Sequence, residues 1–315
     1  MKKILSIFAI ISILLTGCSG GEVEKIEEVN EQRIKVYASF YPMYDFASKI
    51  GNEKIDIEVI VPPGAEPHDF EPSLKAISSI QDADLLVLNG LEMEPWADKI
   101  IQDLENKGVT VIKIGESADP LRLEQLKGGH KGCNHSHHDH GDYDPHIWLD
   151  PIRVITMAEE IKNALCRIDE DNKEYYEANF EKFKSELIKL DEEYKDKLSN
   201  TKRKEIIVSH EAFNYLGDRY GINIIGISGI SSHADPSLKV LSELTKLMKE
   251  KEIRTVFFEQ LASSKLSETL AKEVGGKTEV LYTIEGITME DMKEGKDYIY
   301  KMRENLNKIE SALNE

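Results

Sequence analysis

Three cysteines in 315 residues are too few for a disulfide framework. Basic residues are also scarce, 40 against 58 acidic, for a formal charge of −18. A nucleic-acid binder needs a basic footprint, so that class is excluded. No apolar run approaches the roughly 20 residues of a membrane-spanning helix. The longest, Ile4 to Leu15, is interrupted by Ser6 and Ser12. Signatures of catalysis are missing too. There is no His-Glu-x-x-His, and Ser209-His210 has no Gly-x-Ser-x-Gly around it. Residues 271–278 end in Gly276-Lys277-Thr278, but Ala271 stands where a phosphate loop has glycine. They also follow a helical pattern and precede a strand, the reverse of the order needed. No near-identical internal repeat is visible.

The N-terminus supplies the first positive signal. Lys2 and Lys3 precede the short apolar run, which reads as the core of an export signal over residues 1–17. It ends in Leu15-Thr16-Gly17-Cys18, which resembles the bacterial lipoprotein cleavage box and makes Cys18 the lipidated first residue. Residues 18–33 are Gly- and Glu-rich, as expected of a solvated tether. The chain is thus expected to be exported and lipid-anchored to the outer face of a bacterial cell membrane.

Short β-branched runs then alternate with helical patterns. In the first half strands are predicted at 34–38, 55–61, 84–88 and 109–114, with helices at 41–50, 73–80 and 96–106. A Pro-initiated helix follows over 151–168. Residues 171–198 carry an unbroken helical stripe of Tyr175, Tyr176, Phe180, Phe183, Leu187, Leu190 and Tyr194. Strands are again predicted at 205–209, 222–227, 254–258 and 279–283, with helices at 212–220, 236–251, 265–273 and 296–314. Strand–helix alternation implies parallel sheets with right-handed crossovers. The expected fold is α/β, two lobes joined by a long rigid helix. An N-terminal lobe would span 34–168, including a His-rich loop at 128–143. The linking helix would occupy 169–200 and the C-terminal lobe 201–315, and the length suffices for two separate cores.

Histidine is distributed unevenly. Of nine in the chain, five fall within eleven residues: His130, His135, His137, His138 and His140, with Cys133 among them. Neutral imidazole is a borderline-soft donor suited to zinc and its neighbours. This loop reads as a set of weak, accessory metal donors, because ordering it would cost conformational entropy. Three other histidines sit differently. His68 follows the second predicted strand in a Pro-rich segment, His146 stands between Pro145 and a helix, and His210 follows the fifth strand directly. Glu285 lies past a further strand end. In open α/β sheets ligands bind outside the carboxyl ends of strands, so these four donors can converge between the lobes as an N₃O zinc set. Glu66 is the spare carboxylate. Asp69, Asp144, Glu211 and Glu259 are candidates for orienting the imidazoles, and His233 reads as a surface loop residue.

Four segments, 62–72, 144–151, 209–216 and 283–288, resemble in order and spacing the signatures of one family. This is the family of metal-binding lipoproteins that feed zinc and manganese ABC importers, and the resemblance runs from Ile34 to the C-terminus. It implies two lobes on a rigid helix with one metal held by His68, His146, His210 and Glu285. The implied partners are a membrane permease and its cytoplasmic ATPase, the protein itself acting as a monomer. Manganese-specific relatives have a carboxylate at the position of His210, so its imidazole points to the zinc branch, with Mn²⁺ as the alternative cargo. The His-rich loop is likewise typical of that branch.

Two other classes compete. A zinc hydrolase keeps an open coordination position and a nearby base, whereas a fourth ligand here would close the site, so no enzymatic activity is expected. A surface adhesin shares the anchor and the fold, and nothing repetitive or aromatic on the surface speaks for it. Free histidine titrates near 6.5, so metal affinity should fall on acidification through about pH 6.

Overall fold

The structure is a computed structural model. It describes residues 33–126, 142–228, 236–260 and 263–315. The signal, the tether, Cys18, His233 and the whole set His130, Cys133, His135, His137, His138 and His140 lie outside the described residues. Arg33 to Glu315 forms one compact unit.

Each lobe is built on a four-stranded parallel sheet. The first contains β1 (Ile34–Ala38), β2 (Ile55–Val59), β3 (Leu85–Leu88) and β4 (Thr110–Lys113), in the order β2-β1-β3-β4. The second contains β5 (Glu205–Val208), β6 (Asn223–Gly226), β7 (Thr255–Phe258) and β8 (Lys277–Val280), in the order β6-β5-β7-β8. The two orders are the same once the numbering is offset by four, so the lobes share a topology.

Helices α1 (Tyr41–Gly51), α2 (Leu74–Ile80) and α3 (Ile101–Asn106) belong to the first lobe. Then come α4 (Pro151–Ile168) and α5 (Lys173–Ser199). Asp150 caps α4 by accepting from the amides of Ile152 and Arg153, and Pro151 at the first turn has no amide to satisfy. Helix α5 is 27 residues long and buries Tyr176, Phe180, Phe183, Leu187, Leu190, Tyr194 and Leu198 on one stripe. In the second lobe lie α6 (Asn214–Tyr220), α7 (Leu238–Glu250), α8 (Lys265–Glu273), α9 (Met289–Lys293) and α10 (Tyr298–Leu313). No helix among the described residues is long and apolar enough to cross a membrane.

Three departures from the sequence reading have local causes. The last strand lies at 277–280 rather than 279–283. Gly276 lets the chain pass against Arg254, whose carbonyl would sit 2.0 Å from any Cβ there, so the strand begins early. It ends early because Asn305 takes the backbone of Tyr282 out of the ladder, accepting from its amide at 2.9 Å and donating to its carbonyl at 2.7 Å. The helix expected over 96–106 is broken at Ile100 into a single tight turn, Ala97–Lys99, and α3. Helix α9, capped by the Thr288 side chain, was too short for periodicity to reveal.

The expectation of two separate cores needs revision. One continuous apolar cluster runs from Val36 and Val87 through Trp148 and the α5 stripe to Phe213, Leu281 and Tyr298. Only the outer faces have their own clusters, around Leu86 and Leu104 in one lobe and around Leu244 and Val256 in the other. Burying a large apolar side chain contributes about 1.5–3 kcal/mol. Opening the seam would expose several of them at once.

Candidate metal centre

Every candidate ligand stands beyond the carboxyl end of a strand or at a helix entry. His68 lies in the Pro-rich loop after β2, which is pinned by turns closing Ala65 on Pro62 and Phe70 on Pro67. His146 is fully buried, and its preceding carbonyl, Pro145, accepts from Asn89 Nδ2 at 3.0 Å. His210 comes two residues after β5 and is also buried. Glu285 lies past the end of β8 as expected, but five residues beyond it because the strand ends early. Its predecessor Ile284 has φ of 62°, a left-handed backbone that β-branched residues avoid and that costs of order 1–3 kcal/mol. Trp148 Nε1 donates to the Thr283 carbonyl at 2.7 Å and holds this bend from the other lobe.

The four donors meet. His146 Nε2 lies 3.4 Å from His68 Nε2, 3.4 Å from His210 Nε2 and 3.4 Å from Glu285 Oε1. Glu285 Oε1 is 3.8 Å from His68 Nε2. His68, His146 and Glu285 form the tightest donor group among the described residues, and His210 joins it through His146. A tetrahedral zinc with bonds of about 2.0–2.1 Å has donor–donor edges of about 3.3 Å. The separations around His146 match that size, while His210 stays outside the mutual group formed by the other three.

The outer nitrogens fix the tautomers. His146 Nδ1 is 2.8 Å from Asp144 Oδ1, and His210 Nδ1 is 2.5 Å from Glu259 Oε1, which also accepts from Ser209 Oγ at 2.8 Å. A carboxylate can only accept here, so each Nδ1 carries a hydrogen and each Nε2 turns inward as a donor to metal. Glu285 Oε1 is buried and has no hydrogen bond of good geometry. Inward lone pairs around an unsatisfied carboxylate oxygen are unfavourable unless a cation or a proton sits among them.

Burial and neighbouring charges set which group of the metal-free site favours a proton. Burial pulls the His146 pKa down, but Asp144 and Glu285 outweigh it and push the imidazole up to about 10. Burial, helped by the other two imidazoles, pushes His68 down to about 4. Glu285 is held down at about 2, because His146, His68 and His210 outweigh the cost of burying it. One proton on His146 thus stands in for the cation.

Among the orienting candidates, Asp144 and Glu259 do bond imidazoles. Glu211 does not: it takes a hydrogen bond from the Gly226 backbone. Asp69 is exposed, and its charge favours the protonated form of His68. Glu66 lies outside the donor group and accepts from the His68 amide at 3.4 Å. Its pKa is raised to about 7 by burial and by the nearby Glu285. Two residues of the 209–216 segment, to which the sequence assigned no role, also act here. Asn214 Nδ2 donates to Asp144 Oδ2 at 3.0 Å, and Tyr215 donates to the Asp144 carbonyl at 2.6 Å, so the second lobe grips the carboxylate that orients His146.

Paired parallel α/β lobes with a cation-sized donor cluster between them define a substrate-binding protein for a metal ion. The chain belongs to the ZnuA family, described as zinc-uptake complex component A, periplasmic, which it matches over residues 36–312. It is 34% identical to the high-affinity zinc uptake system protein ZnuA of Bacillus subtilis, over 99% of this chain and 98% of that protein. It is 36% identical to the zinc-binding lipoprotein AdcA of Streptococcus pneumoniae strain R6, over its whole length but only 62% of AdcA. The crystal structure of the Zn(II)-bound ZnuA-like domain of that species' AdcA superposes with a TM-score of 0.76 at 37% identity, covering 90% of this chain and all of that domain.

Proposed function

We propose that the protein captures Zn²⁺ outside the cytoplasm through His68, His146, His210 and Glu285 and hands it to the permease of an ABC importer. The observation that carries this reading is the trio of 3.4 Å separations around His146 Nε2, the edge lengths of a zinc tetrahedron. Three imidazoles and one carboxylate favour zinc over the harder Mn²⁺. Four protein ligands also leave no open position for an activated water, so the site suits carriage rather than hydrolysis. The names of the relatives, a zinc uptake protein and a zinc-binding lipoprotein, agree with it.

The finer assignments belong to the same proposal. Cys18 carries the lipid, residues 18–33 tether the lobes to the outer face of the membrane, and the protein works as a monomer. Residues 34–168 and 201–315 act as the two lobes, with 169–200 as their link. The His-rich loop with Cys133 collects zinc weakly for the tighter site. Metal analysis of protein purified without chelator, followed by competitive titration of Zn²⁺ against Mn²⁺, tests the reading. One tightly held zinc per chain is expected. Preferential retention of manganese, or turnover of an ester or phosphate substrate, would replace it.

A further inference from the structure

Asn89 is fully buried one residue past β3, and its side chain reaches out of its own loop to the segment of His146. Its Nδ2 donates to the Gly90 carbonyl at 3.0 Å and to the Pro145 carbonyl at 3.0 Å. Both partners can only accept, so the nitrogen must face them. Oδ1 is left buried with no partner, which is a cost. Room for the side chain depends on Gly115, where a Cβ would stand 3.2 Å from Oδ1 and 2.8 Å from the Asn89 carbonyl. The arrangement holds the peptide that joins Pro145 to His146. Its carbonyl accepts from Asn89 and, at 2.8 Å, from the Ile147 amide. Its N–H donates to Asp144 Oδ1 at 3.0 Å, the same oxygen that holds the imidazole at Nδ1. Peptide plane and ring of His146 are both fixed.

Asn89 is itself held by a buried acid. Glu94 is 6% exposed, and its Oε1 accepts from the Asn89 amide at 2.9 Å and from Ser39 Oγ at 2.6 Å. Its Oε2 accepts from the Gly90 amide at 3.0 Å. Ser39 extends the connection towards a second ligand. Its carbonyl accepts from the Val61 amide at 2.9 Å, at the root of the Pro-rich loop that carries His68. Burial outweighs the three donors on Glu94 and pushes its carboxyl up to about 7. The backbone that Glu94 gathers is strained as well. Gly90, Leu91 and Glu92 have φ of 77°, 55° and 62°, three successive left-handed residues of which only the first is glycine. A buried acid, an orphaned oxygen and two strained residues all work against stability. Such features persist where surrounding contacts enforce them, and they gather at functional sites.

We propose that Glu94 and Asn89 are positioning residues of the metal centre. Glu94 sets Asn89, and Asn89 sets the peptide of His146, holding its Nε2 against His68 at the spacing of a tetrahedral ion. This rests on the reading of His146 as a ligand. A preset tetrahedron of imidazoles suits Zn²⁺, whereas Mn²⁺ suits octahedral, oxygen-rich surroundings. The pair therefore contributes to metal choice although neither side chain is a ligand.

The test uses the full chain, with Asn89→Ala, Glu94→Gln, the double variant, and Tyr194→Phe as a control. The control removes a buried hydrogen bond to the Met302 carbonyl that shares no residue with this chain of bonds. Asn89→Ala and Glu94→Gln should each still take up one zinc, with affinity lowered roughly tenfold, as for other groups that orient a metal ligand. The ratio of the Mn²⁺ to the Zn²⁺ dissociation constant should fall with it. Glu94 acts through Asn89, so adding Glu94→Gln to Asn89→Ala should change little further. Cobalt loaded in place of zinc should lose intensity in its visible bands in both variants, as its tetrahedral field is distorted. Tyr194→Phe should lower the urea midpoint yet leave zinc affinity, metal ratio and cobalt spectrum unchanged. Asn89→Ala removes no charge and decides alone if Glu94→Gln does not fold. Wild-type affinity and metal ratio in Asn89→Ala would overturn the proposal. So would an equal loss in Tyr194→Phe, or losses that simply add in the double variant. Tight zinc binding that survives His146→Ala would instead sink the ligand reading itself.

Discussion

Tyr298 donates its phenol to the backbone carbonyl of Trp148 at 2.7 Å, across the seam between the lobes. Trp148 answers through Nε1 to Thr283 in the second lobe. Both side chains are fully buried within the apolar cluster that runs through both lobes. The seam is therefore a core, and the long helix α5 is only one of the elements that stiffen it.

Loading with metal should accordingly leave the overall shape almost unchanged. Solution scattering of metal-free and zinc-loaded protein is expected to give radii of gyration that agree closely, the changes being confined to loops. A large compaction on loading would mean that the seam opens. Tyr298→Phe should cost about 1–3 kcal/mol in urea unfolding of the metal-free protein, since it leaves the buried Trp148 carbonyl without its donor.

The pH dependence differs from what free histidine suggests. His146 holds its proton to about pH 10 and His68 stays neutral down to about 4. Zinc must displace the His146 proton throughout the range between. Affinity should fall about tenfold per pH unit on acidification from pH 9 to 6, with no step at 6 attributable to His68. Calorimetry at pH 8 in buffers of different ionisation enthalpy should count about one proton released per zinc. Zero would show that His146 is already neutral. In the metal-free fold the sign is the usual one for a raised histidine. Its stabilising contribution is complete below about 6.5 and lost as pH rises through about 10.

Asn214 reaches the metal centre only through Asp144 and His146. Asn214→Ala should weaken zinc binding by about tenfold, within the range for groups that orient a ligand. Asn214→Asp should weaken it further by setting a second carboxylate beside Asp144. Competitive titration reads both. Equal affinity in all three proteins would leave Asn214 as a surface hydrogen bond of the seam.

The sequence showed what depends on local pattern. Strand β1 and helices α4 and α8 fall on their expected bounds, and most other elements lie within two residues of theirs. The four candidate ligands were legible because each sits beside proline or just past a β-branched run. What was hidden depends on distant partners. Nothing near Tyr282 tells that Asn305 will take its backbone out of the ladder, and nothing near Asp144 tells that Asn214 will hold it. The shared core was hidden for the same reason: the α5 stripe looks the same whether it faces one lobe or two.

Deleting residues 130–140 removes five histidines and Cys133 without touching the His68, His146 and Glu285 group or His210 beside it. Zinc titration should then lose its weak sites and keep one tight site per chain. Loss of the tight site on deletion would place the high-affinity donors in the loop.

Metal choice should turn on His210. Its Nε2 is one of three imidazole nitrogens of the candidate site, and its Nδ1 is held by Glu259. His210→Asp exchanges a nitrogen for a hard oxygen, which favours Mn²⁺ relative to Zn²⁺. The exchange also sets a second carboxylate beside Glu259, so absolute affinity should fall for both metals. The fall should be larger for zinc by tenfold or more in the ratio of dissociation constants. Competition between the two ions for wild type and variant measures that ratio directly. An unchanged ratio would show that His210 does not contribute to selectivity.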